Sequence, residues 1–241
     1  MKKITQSLLL GGLIAATPMA YAGVDLGNGF EASANVGFVT NYSFRGQSQT
    51  TSNGPAVQGG FDLNHKSGFY AGIWGSNVGF GGSLEVDYYL GFSGMFANKL
   101  GYDVGYIYYN YPKDNSNPDL DYQEIYGSLS YDFGPASVSA GINYSDDYFG
   151  GSGTGTYYYG EVGIPLPADF SVTLHAGHQN IKDNATFGTP DYTDYSVALS
   201  KSLKGFDFGL TYKDTDLKRS ECFGGTDACE GGFIFSVSRS F

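Results

Sequence analysis

The strongest constraint in the sequence is a strict alternation of apolar and polar residues over residues 83–94. Leu84 and Leu90 belong to the apolar series, and Glu85 and Asp87 belong to the polar one. Because side chains of a β-strand point alternately to its two faces, this pattern predicts a strand with one apolar and one acidic face. The alternation resumes after a short turn, over residues 100–109. We therefore interpret the chain as repeats of this hairpin that close into a membrane-spanning barrel.

Strands of this kind recur along the whole chain, and we expect twelve of them, each of about ten residues. Their connections alternate between short and long, which is typical of outer-membrane barrels with short periplasmic turns and long outer loops. The expected fold class is therefore all-β, a transmembrane antiparallel up-and-down β-barrel of 12 strands. Because the first connection is long, both termini are expected in the periplasm.

A soluble β-sandwich or a lipocalin-like barrel would show the same alternation, with its apolar face turned inward. The rhythm of the loops and the many aromatic residues favour the membrane alternative. The chain contains 21 Tyr and 18 Phe, residue types that suit strands and membrane interfaces. It also ends on Phe241, and outer-membrane barrels commonly end on an aromatic residue that the barrel-assembly machinery recognises. Expected partners are therefore that machinery, outer-membrane lipid and lipopolysaccharide, and a small-molecule solute.

The first residues have the pattern of a cleaved signal peptide. Lys2 and Lys3 precede an apolar run over residues 8–16, and a small-x-small cleavage motif follows. The run is too short to span a bilayer as a helix. We therefore expect a signal peptide over residues 1–22, an outer-membrane barrel domain over residues 23–241, and the outer membrane of a Gram-negative bacterium as the location.

The charge balance excludes one class of partner. Without the signal peptide, eleven basic and 24 acidic residues remain, which gives a net charge of −13. Nucleic acid is therefore not an expected partner.

The two cysteines, Cys222 and Cys229, are expected to pair across one loop in an oxidising compartment. In the chain-entropy model such a small loop stabilises the fold by roughly 2–3 kcal/mol. A metal or redox pair would need further ligands or a C-x-x-C spacing. We expect neither a metal nor a cofactor.

The polar face of the strands would line the lumen, and it is strongly acidic. Two fixed cations, Arg45 and Lys213, and the imidazole of His175 are expected there as well. An acidic lumen concentrates cations, and twelve strands leave a narrow pore, which inward Gly and Ser residues are expected to keep open. We therefore expect a channel for passive diffusion of small solutes that prefers cations or zwitterions. The inward carboxylates are Asp62, Glu85, Asp87, Asp103, Glu124, Glu161, Asp194 and Asp207.

Other interpretations stay open at this point. The inward charges would pair within a plugged lumen if the barrel is a structural or surface-interaction protein that binds a partner through its outer loops. Arg45 would either constrict the mouth by pairing with Glu85 or Asp87, or contact a lipopolysaccharide phosphate. A lipid-acting enzyme would need His65 and Ser67, but these lie in a predicted turn without an evident third partner. Enzymatic activity is therefore not expected.

Residues 41–94 also carry runs that point to a family. These are F-R-G-x-S-Q-T over residues 44–50, P-A-V-Q-G-G-x-D over residues 55–62 and G-x-W-x-S-N-V over residues 72–78. They resemble the TorF-type porins of proteobacteria. The resemblance implies an outer-membrane channel without catalytic residues, and the family name suggests a link to trimethylamine N-oxide, a zwitterion. One departure is Gly79, where we would expect Asp, so the role of a carboxylate at that rim does not carry over.

Overall fold

The computed structural model of the protein describes residues 23–50 and 53–241, and the expected signal peptide, residues 1–22, lies outside them. In chain order the strands are β1 (Val24–Gly27), β2 (Phe30–Val39), β3 (Ser43–Phe44), β4 (Gln47–Ser48), β5 (Ala56–His65), β6 (Phe69–Asn77), β7 (Leu84–Met95), β8 (Leu100–Asn110), β9 (Tyr122–Asp132), β10 (Ser137–Ser145), β11 (Gly155–Leu166), β12 (Phe170–Ile181), β13 (Tyr192–Leu203), β14 (Phe206–Thr215) and β15 (Gly232–Ser240). A single-turn helix, α1 (Asn184–Phe187), lies between β12 and β13. No helix within the described residues is long and apolar enough to cross a membrane.

Twelve strands of the described chain close into an antiparallel barrel. From β5 to β15 each strand pairs with the next one, and β2 completes the circle by pairing with both β5 and β15. Strand β1 adds to the edge of β2 where β15 does not reach, so that Val24 pairs with Ala32. Strands β3 and β4 form a separate hairpin. The predicted fold, a twelve-stranded up-and-down barrel, is confirmed.

The faces of the strands are those that the alternation predicts. In β7, Leu84, Leu90 and Phe92 are 43%, 50% and 41% exposed, whereas Glu85 and Asp87 are each 2% exposed. Apolar side chains thus cover the outer surface, which suits lipid rather than water. The soluble alternative, with its apolar face inward, is wrong.

The long and short connections lie at opposite ends of the barrel, which are termed the loop end and the turn end. Lys204 and Gly205, which join β13 to β14, form one of the tightest turns and have φ of 52° and 81°. Two successive positive φ values fit a type I′ turn, which matches the twist of paired strands. The other short turns are residues 66–68, 96–99, 133–136 and 167–169. The described connections at the loop end are residues 40–50, 53–55, 78–83, 111–121, 146–154, 182–191 and 216–231.

Inward glycines accommodate tyrosine rings from neighbouring strands. A Cβ atom at Gly91 would overlap the phenol of Tyr70, and one at Gly177 would overlap that of Tyr157. The expectation that inward glycines keep the lumen open is therefore wrong for these positions, because a ring occupies the space that each one leaves. Further pairs of this kind are Gly72 with Tyr89, Gly105 with Tyr126 and Gly141 with Tyr159.

Because Leu84 and Leu90 point outward from β7, the loss of stability on replacing either one by arginine should depend on its depth in the membrane. Leu90 lies near the middle of the strand and Leu84 at its loop end. We expect Leu90→Arg to lower the free energy of unfolding in lipid vesicles by about 2–4 kcal/mol and the matched Leu84→Arg by about 0–1 kcal/mol, because an outward charge is most costly at the bilayer midplane. Denaturant titration monitored by tryptophan fluorescence measures both. Equal losses in the two variants would contradict this orientation.

Candidate functional site

Residues 41–50, which connect β2 to β5, fold into the loop end of the barrel. They contain the β3–β4 hairpin, and its turn consists of Arg45 and Gly46, with φ of 46° and 76°. A Cβ at Gly46 would lie 2.6 Å from Cγ2 of Thr215 and 2.7 Å from Cβ of Asp194. The tip of this inward hairpin therefore packs directly on β13 and β14.

Arg45 extends from the tip and is bound by groups from several parts of the barrel. Its Nη2 donates to Oε2 of Glu124 on β9 at 2.7 Å, and its Nη1 donates to Oε1 of Gln179 on β12 at 2.7 Å. The guanidinium lies 4.3 Å from the ring centroid of Tyr157, within the range of a cation–π interaction. Side-chain exposure is only 2% for both Arg45 and Glu124. A buried, charge-assisted pair thus crosses the lumen at this level.

The partner of Arg45 differs from the one predicted. The sequence left open a pair with Glu85 or Asp87 on β7 and a contact with lipopolysaccharide phosphate, whereas the structure buries Arg45 and pairs it with Glu124 on β9. The reason is the direction of the hairpin tip, which the polar loop sequence does not reveal.

Tyr148, in the connection between β10 and β11, completes the surroundings of Arg45. Its hydroxyl accepts a hydrogen bond from Nη1 of Arg45 at 3.4 Å. Burial raises the pKa of Tyr148 to about 12, so the phenol stays neutral near neutral pH. Tyr148 also contacts Tyr122 edge to face, at 4.8 Å between ring centroids. Aromatic rings thus continue the inner wall beside the inward hairpin.

Lys213 on β14 ties the hairpin to the last long connection. Its Nζ donates to the carbonyl oxygens of Gly46 at 2.9 Å, Ala228 at 3.3 Å and Glu230 at 2.7 Å. The connection that holds Ala228 and Glu230 is closed by the disulfide between Cys222 and Cys229, whose Cα atoms are 6.0 Å apart. One ammonium group therefore holds both the inward hairpin and the disulfide loop.

The carboxylates of β7 lie on the opposite side of the inward hairpin. Glu85 accepts a hydrogen bond from the hydroxyl of Tyr42 at 2.6 Å, and Tyr111 also bonds to Glu85. Burial, together with the nearby carboxylate of Glu85, raises the pKa of Tyr42 and Tyr111 well above its usual value. Both phenols therefore stay protonated and can donate. Asp87, one inward position further along β7, is as buried as Glu85.

Towards the turn end the inward carboxylates are less buried and pair with tyrosines. Tyr89 donates to Oδ1 of Asp62 at 2.5 Å, and Tyr70 donates to Oδ1 of Asp103 at 2.6 Å. Asp207 accepts from the Ser202 hydroxyl at 2.5 Å. In these three contacts the donor is a hydroxyl group of a tyrosine or a serine.

His175 lies between two carboxylates from neighbouring strands. Its Nδ1 is 3.1 Å from Oε1 of Glu161, and its Nε2 is 3.2 Å from Oδ2 of Asp194. The hydroxyl of Tyr157 lies 2.8 Å from the same Nε2 and donates to Oδ1 of Asp194 at 2.9 Å. Tyr157 therefore connects this group to Arg45, which stacks on its ring.

The predicted lumen residues thus fall into two sets. One set is shielded from solvent around the inward hairpin, at 4% exposure or less, and consists of Arg45, Glu85, Asp87, Glu124, Asp194 and Lys213. The other set has intermediate exposure and consists of Asp62, Asp103, Glu161, His175 and Asp207. Whether a conduction path passes these residues stays a prediction.

Sequence reasoning missed the inward aromatic wall. Tyr109 and Tyr122 stack at 4.3 Å between ring centroids, and both occupy inward positions with 3% and 5% exposure. The signal was present: inward glycines stand directly opposite inward tyrosines on the neighbouring strand, as Gly91 does opposite Tyr70.

His65 and Ser67, the pair that an enzyme would need, form a turn between β5 and β6. Nδ1 of His65 lies 2.8 Å from Oγ of Ser67, and Nε2 lies 3.3 Å from the carbonyl oxygen of Asn28. Within the part of the chain that the structure describes, no carboxylate pairs with His65. The geometry is that of a hydrogen-bonded turn.

Solved structures with the same fold are outer-membrane porins. The KdgM porin has a TM-score of 0.59 and 10% identity, with 87% of this chain and 99% of that chain covered. The NanC porin has a TM-score of 0.57 and 11% identity, with 86% and 98% covered. A structure of the KdgM porin in complex with disordered oligogalacturonate has a TM-score of 0.59 and 8% identity, with 87% and 99% covered. At such identities the likeness shows the fold alone.

Sequence comparisons give the family. No curated protein matches the chain. The family model described as "Bacterial protein of unknown function (Gcw_chp)" matches residues 25–241, which include all twelve strands of the barrel. The chain therefore belongs to the Gcw_chp family of bacterial proteins.

Proposed function

We propose that this protein is an outer-membrane channel for the passive diffusion of small solutes, with the inward hairpin as its constriction and a preference for cations or zwitterions. The observation that carries the proposal is the Arg45–Glu124 pair, which crosses the barrel at the hairpin tip. A charged pair at a narrow point selects solutes by both size and charge. The porin fold of the barrel is consistent with this function.

The charge of the inner wall supports the preference for cations. Only Arg45 and Lys213 carry fixed positive charge among the predicted lumen residues, against eight carboxylates. Arg45 is already paired with Glu124, and Lys213 binds backbone carbonyl oxygens. The excess negative potential attracts cations and repels anions. An oligogalacturonate, the polyanion named with one KdgM structure, therefore suits this lumen poorly.

Burial around the hairpin favours a second candidate, a non-conducting barrel with a structural or surface-interaction role. The side chains of Arg45 and Glu124 are only 2% exposed, so water does not surround them in this conformation. A channel must therefore open by moving the inward hairpin or by exchanging its contacts. Conductance measurements separate the two candidates.

The proposed location is the outer membrane of a Gram-negative bacterium, reached after cleavage of a signal peptide at residues 1–22. The loop end would then face the cell exterior and lipopolysaccharide, and the turn end would face the periplasm. The terminal Phe241 would serve recognition by the barrel-assembly machinery. The resemblance of residues 41–94 to the TorF-type porins supports the same assignment.

The channel proposal predicts discrete current steps for the refolded protein in a planar bilayer. In a KCl gradient we expect a reversal potential on the cation-selective side, because uncompensated carboxylates line the path. The barrel must first be shown to be folded by heat-modifiable gel mobility. A folded barrel without current steps would support the non-conducting candidate instead.

Removal of the Arg45 side chain tests the constriction. We expect Arg45→Ala to raise the single-channel conductance and to increase cation selectivity, because Glu124 loses its counter-ion. An unpaired buried carboxylate costs about 3–5 kcal/mol, so water is expected to enter and the hairpin to loosen. Single-channel recording measures both effects. Arg239→Ala is the matched control, since Arg239 stacks on Phe206 and Phe241 near the turn end, and similar changes in both variants would argue against the constriction.

The tether at Lys213 predicts a change in gating. In Lys213→Met the carbonyl oxygens of Gly46, Ala228 and Glu230 lose their common donor, which costs about 1–3 kcal/mol for a buried acceptor left unsatisfied. We expect this variant to spend more time in a high-conductance state than the wild type. Lys201→Met is the control, because Lys201 lies over the ring of Phe170, away from the hairpin. Unchanged dwell times in Lys213→Met would show that this tether does not hold the constriction.

A further inference from the structure

Asp87 differs from the other seven carboxylates that the sequence places in the lumen. Each of the other seven accepts a hydrogen bond or pairs with a cation: Asp62 with Tyr89, Glu85 with Tyr42, Asp103 with Tyr70, Glu124 with Arg45, Glu161 with His175, Asp194 with Tyr157, and Asp207 with Ser202. Oδ1 of Asp87 is fully buried without a partner, and no described donor reaches its other oxygen. The residue as a whole is only 2% exposed, so water does not replace the missing partner.

The charges nearest to Asp87 make the burial of its carboxylate more unfavourable. The carboxylates of Glu85 and Glu124 lie near enough to repel a negative charge on Asp87. Arg45 neutralises Glu124 through its Nη2, and the other buried cation, Lys213, binds backbone carbonyl oxygens. A buried carboxylate needs donors or a counter-ion. A positively charged group from outside the chain would therefore compensate the charge of Asp87.

The walls around Asp87 are aromatic. On the neighbouring strands Trp74 and Tyr109 stand directly opposite Asp87, one on each side. Tyr42 from the inward hairpin contacts Trp74 at 5.6 Å between ring centroids. Trp74 keeps intermediate exposure although it points inward, so part of this residue remains open to solvent. A carboxylate between aromatic faces suits an organic cation.

The chemistry of these groups narrows the ligand class. Ca²⁺ takes six to eight oxygen ligands and Mg²⁺ six, and no three His, Cys, Asp or Glu side chains in the described ranges are placed to hold a metal ion. A quaternary ammonium has no N–H, so it would leave Oδ1 of Asp87 without a donor. A primary ammonium provides three N–H donors, as a lysine side chain does, and its alkyl part can pack on the rings.

We propose that Asp87, supported by Glu85 and walled by Trp74, Tyr42 and Tyr109, binds the ammonium group of a small primary amine. This assignment deepens the proposed function, since it names the class of cation that the channel would hold on its way through. Asp87 and Glu85 supply the negative charge, and Asp87 accepts the N–H donors. The aromatic rings hold the adjoining carbon chain.

Trp74 gives a direct test, because it is the only tryptophan in the chain. The refolded full-length barrel in detergent micelles is titrated with propylammonium chloride at constant ionic strength, and the emission of Trp74 is recorded. We expect a saturable change in emission, and a weaker response to tetramethylammonium chloride or to NaCl. Asp87→Asn is expected to weaken propylammonium binding by about ten- to hundredfold, as for the loss of a hydrogen bond to a charged group.

The matched control is Asp207→Asn, which removes an inward carboxylate near the turn end and should leave the affinity unchanged. Glu85→Gln serves as a second variant and should weaken binding, so the test stands if Asp87→Asn does not fold. The proposal is overturned by a folded wild type without a saturable response, by equal responses to NaCl and propylammonium, or by unchanged binding in folded Asp87→Asn. Binding without conductance would overturn only the channel function, and conductance without binding would overturn only this site.

Discussion

The structure depends on the closure of one hydrogen-bonded ladder between the first and last strands of the barrel. In the apolar interior of a membrane an open sheet edge leaves backbone groups without partners, so a sheet can span it only as a closed circle. Here β15 pairs with β2 only from Asn35 to Val39. Beyond that point the amide of Phe241 donates to the carbonyl oxygen of Ala34 at 2.8 Å, and β1 covers the remaining edge through the pairing of Val24 with Ala32. The chain folds back on its own first strand because the last strand is too short to cover it.

Closure divides every strand into a lipid face and a luminal face, and it removes the luminal face from bulk water. The polar side chains inside must then satisfy one another. Tyrosines perform most of this task towards the turn end, where their hydroxyls donate to Asp62 and Asp103 while their rings occupy the space beside inward glycines. At the loop end the carboxylates are more deeply buried, and neutral donors alone do not compensate for them. The inward hairpin supplies the cation that this part of the lumen lacks.

Local and long-range information explain which features could be predicted from the sequence. Strand faces follow from alternation within a dozen residues, so the outward Leu90 and the inward Glu85 were both assigned correctly. The pairing of Arg45 with Glu124 joins residues 79 positions apart, and it depends on a turn that directs the hairpin into the lumen. Neither composition nor periodicity encodes that direction, because residues 45–50 show no alternation of apolar and polar side chains. The inward tyrosines are partly predictable. Once neighbouring strands are predicted, a glycine directly opposite a tyrosine indicates that the ring occupies the space beside the glycine.

In the proposed channel, the inward hairpin closes the lumen, and its Arg45 neutralises the carboxylate of Glu124 there. Opening of the channel therefore depends on what replaces this positive charge. Arg45 stabilises the closed state because Glu124 attracts it, whereas a cation that enters from outside competes for the same negative potential. A solute that binds the open state better than the closed one shifts the equilibrium only by the difference between its two affinities. Anions gain nothing from displacing Arg45, because they would then face Glu124 unshielded. A cation that displaces the guanidinium of Arg45 replaces its positive charge beside Glu124. The barrier to opening is therefore lower for cations than for anions, and the selectivity follows from this exchange of one positive group for another.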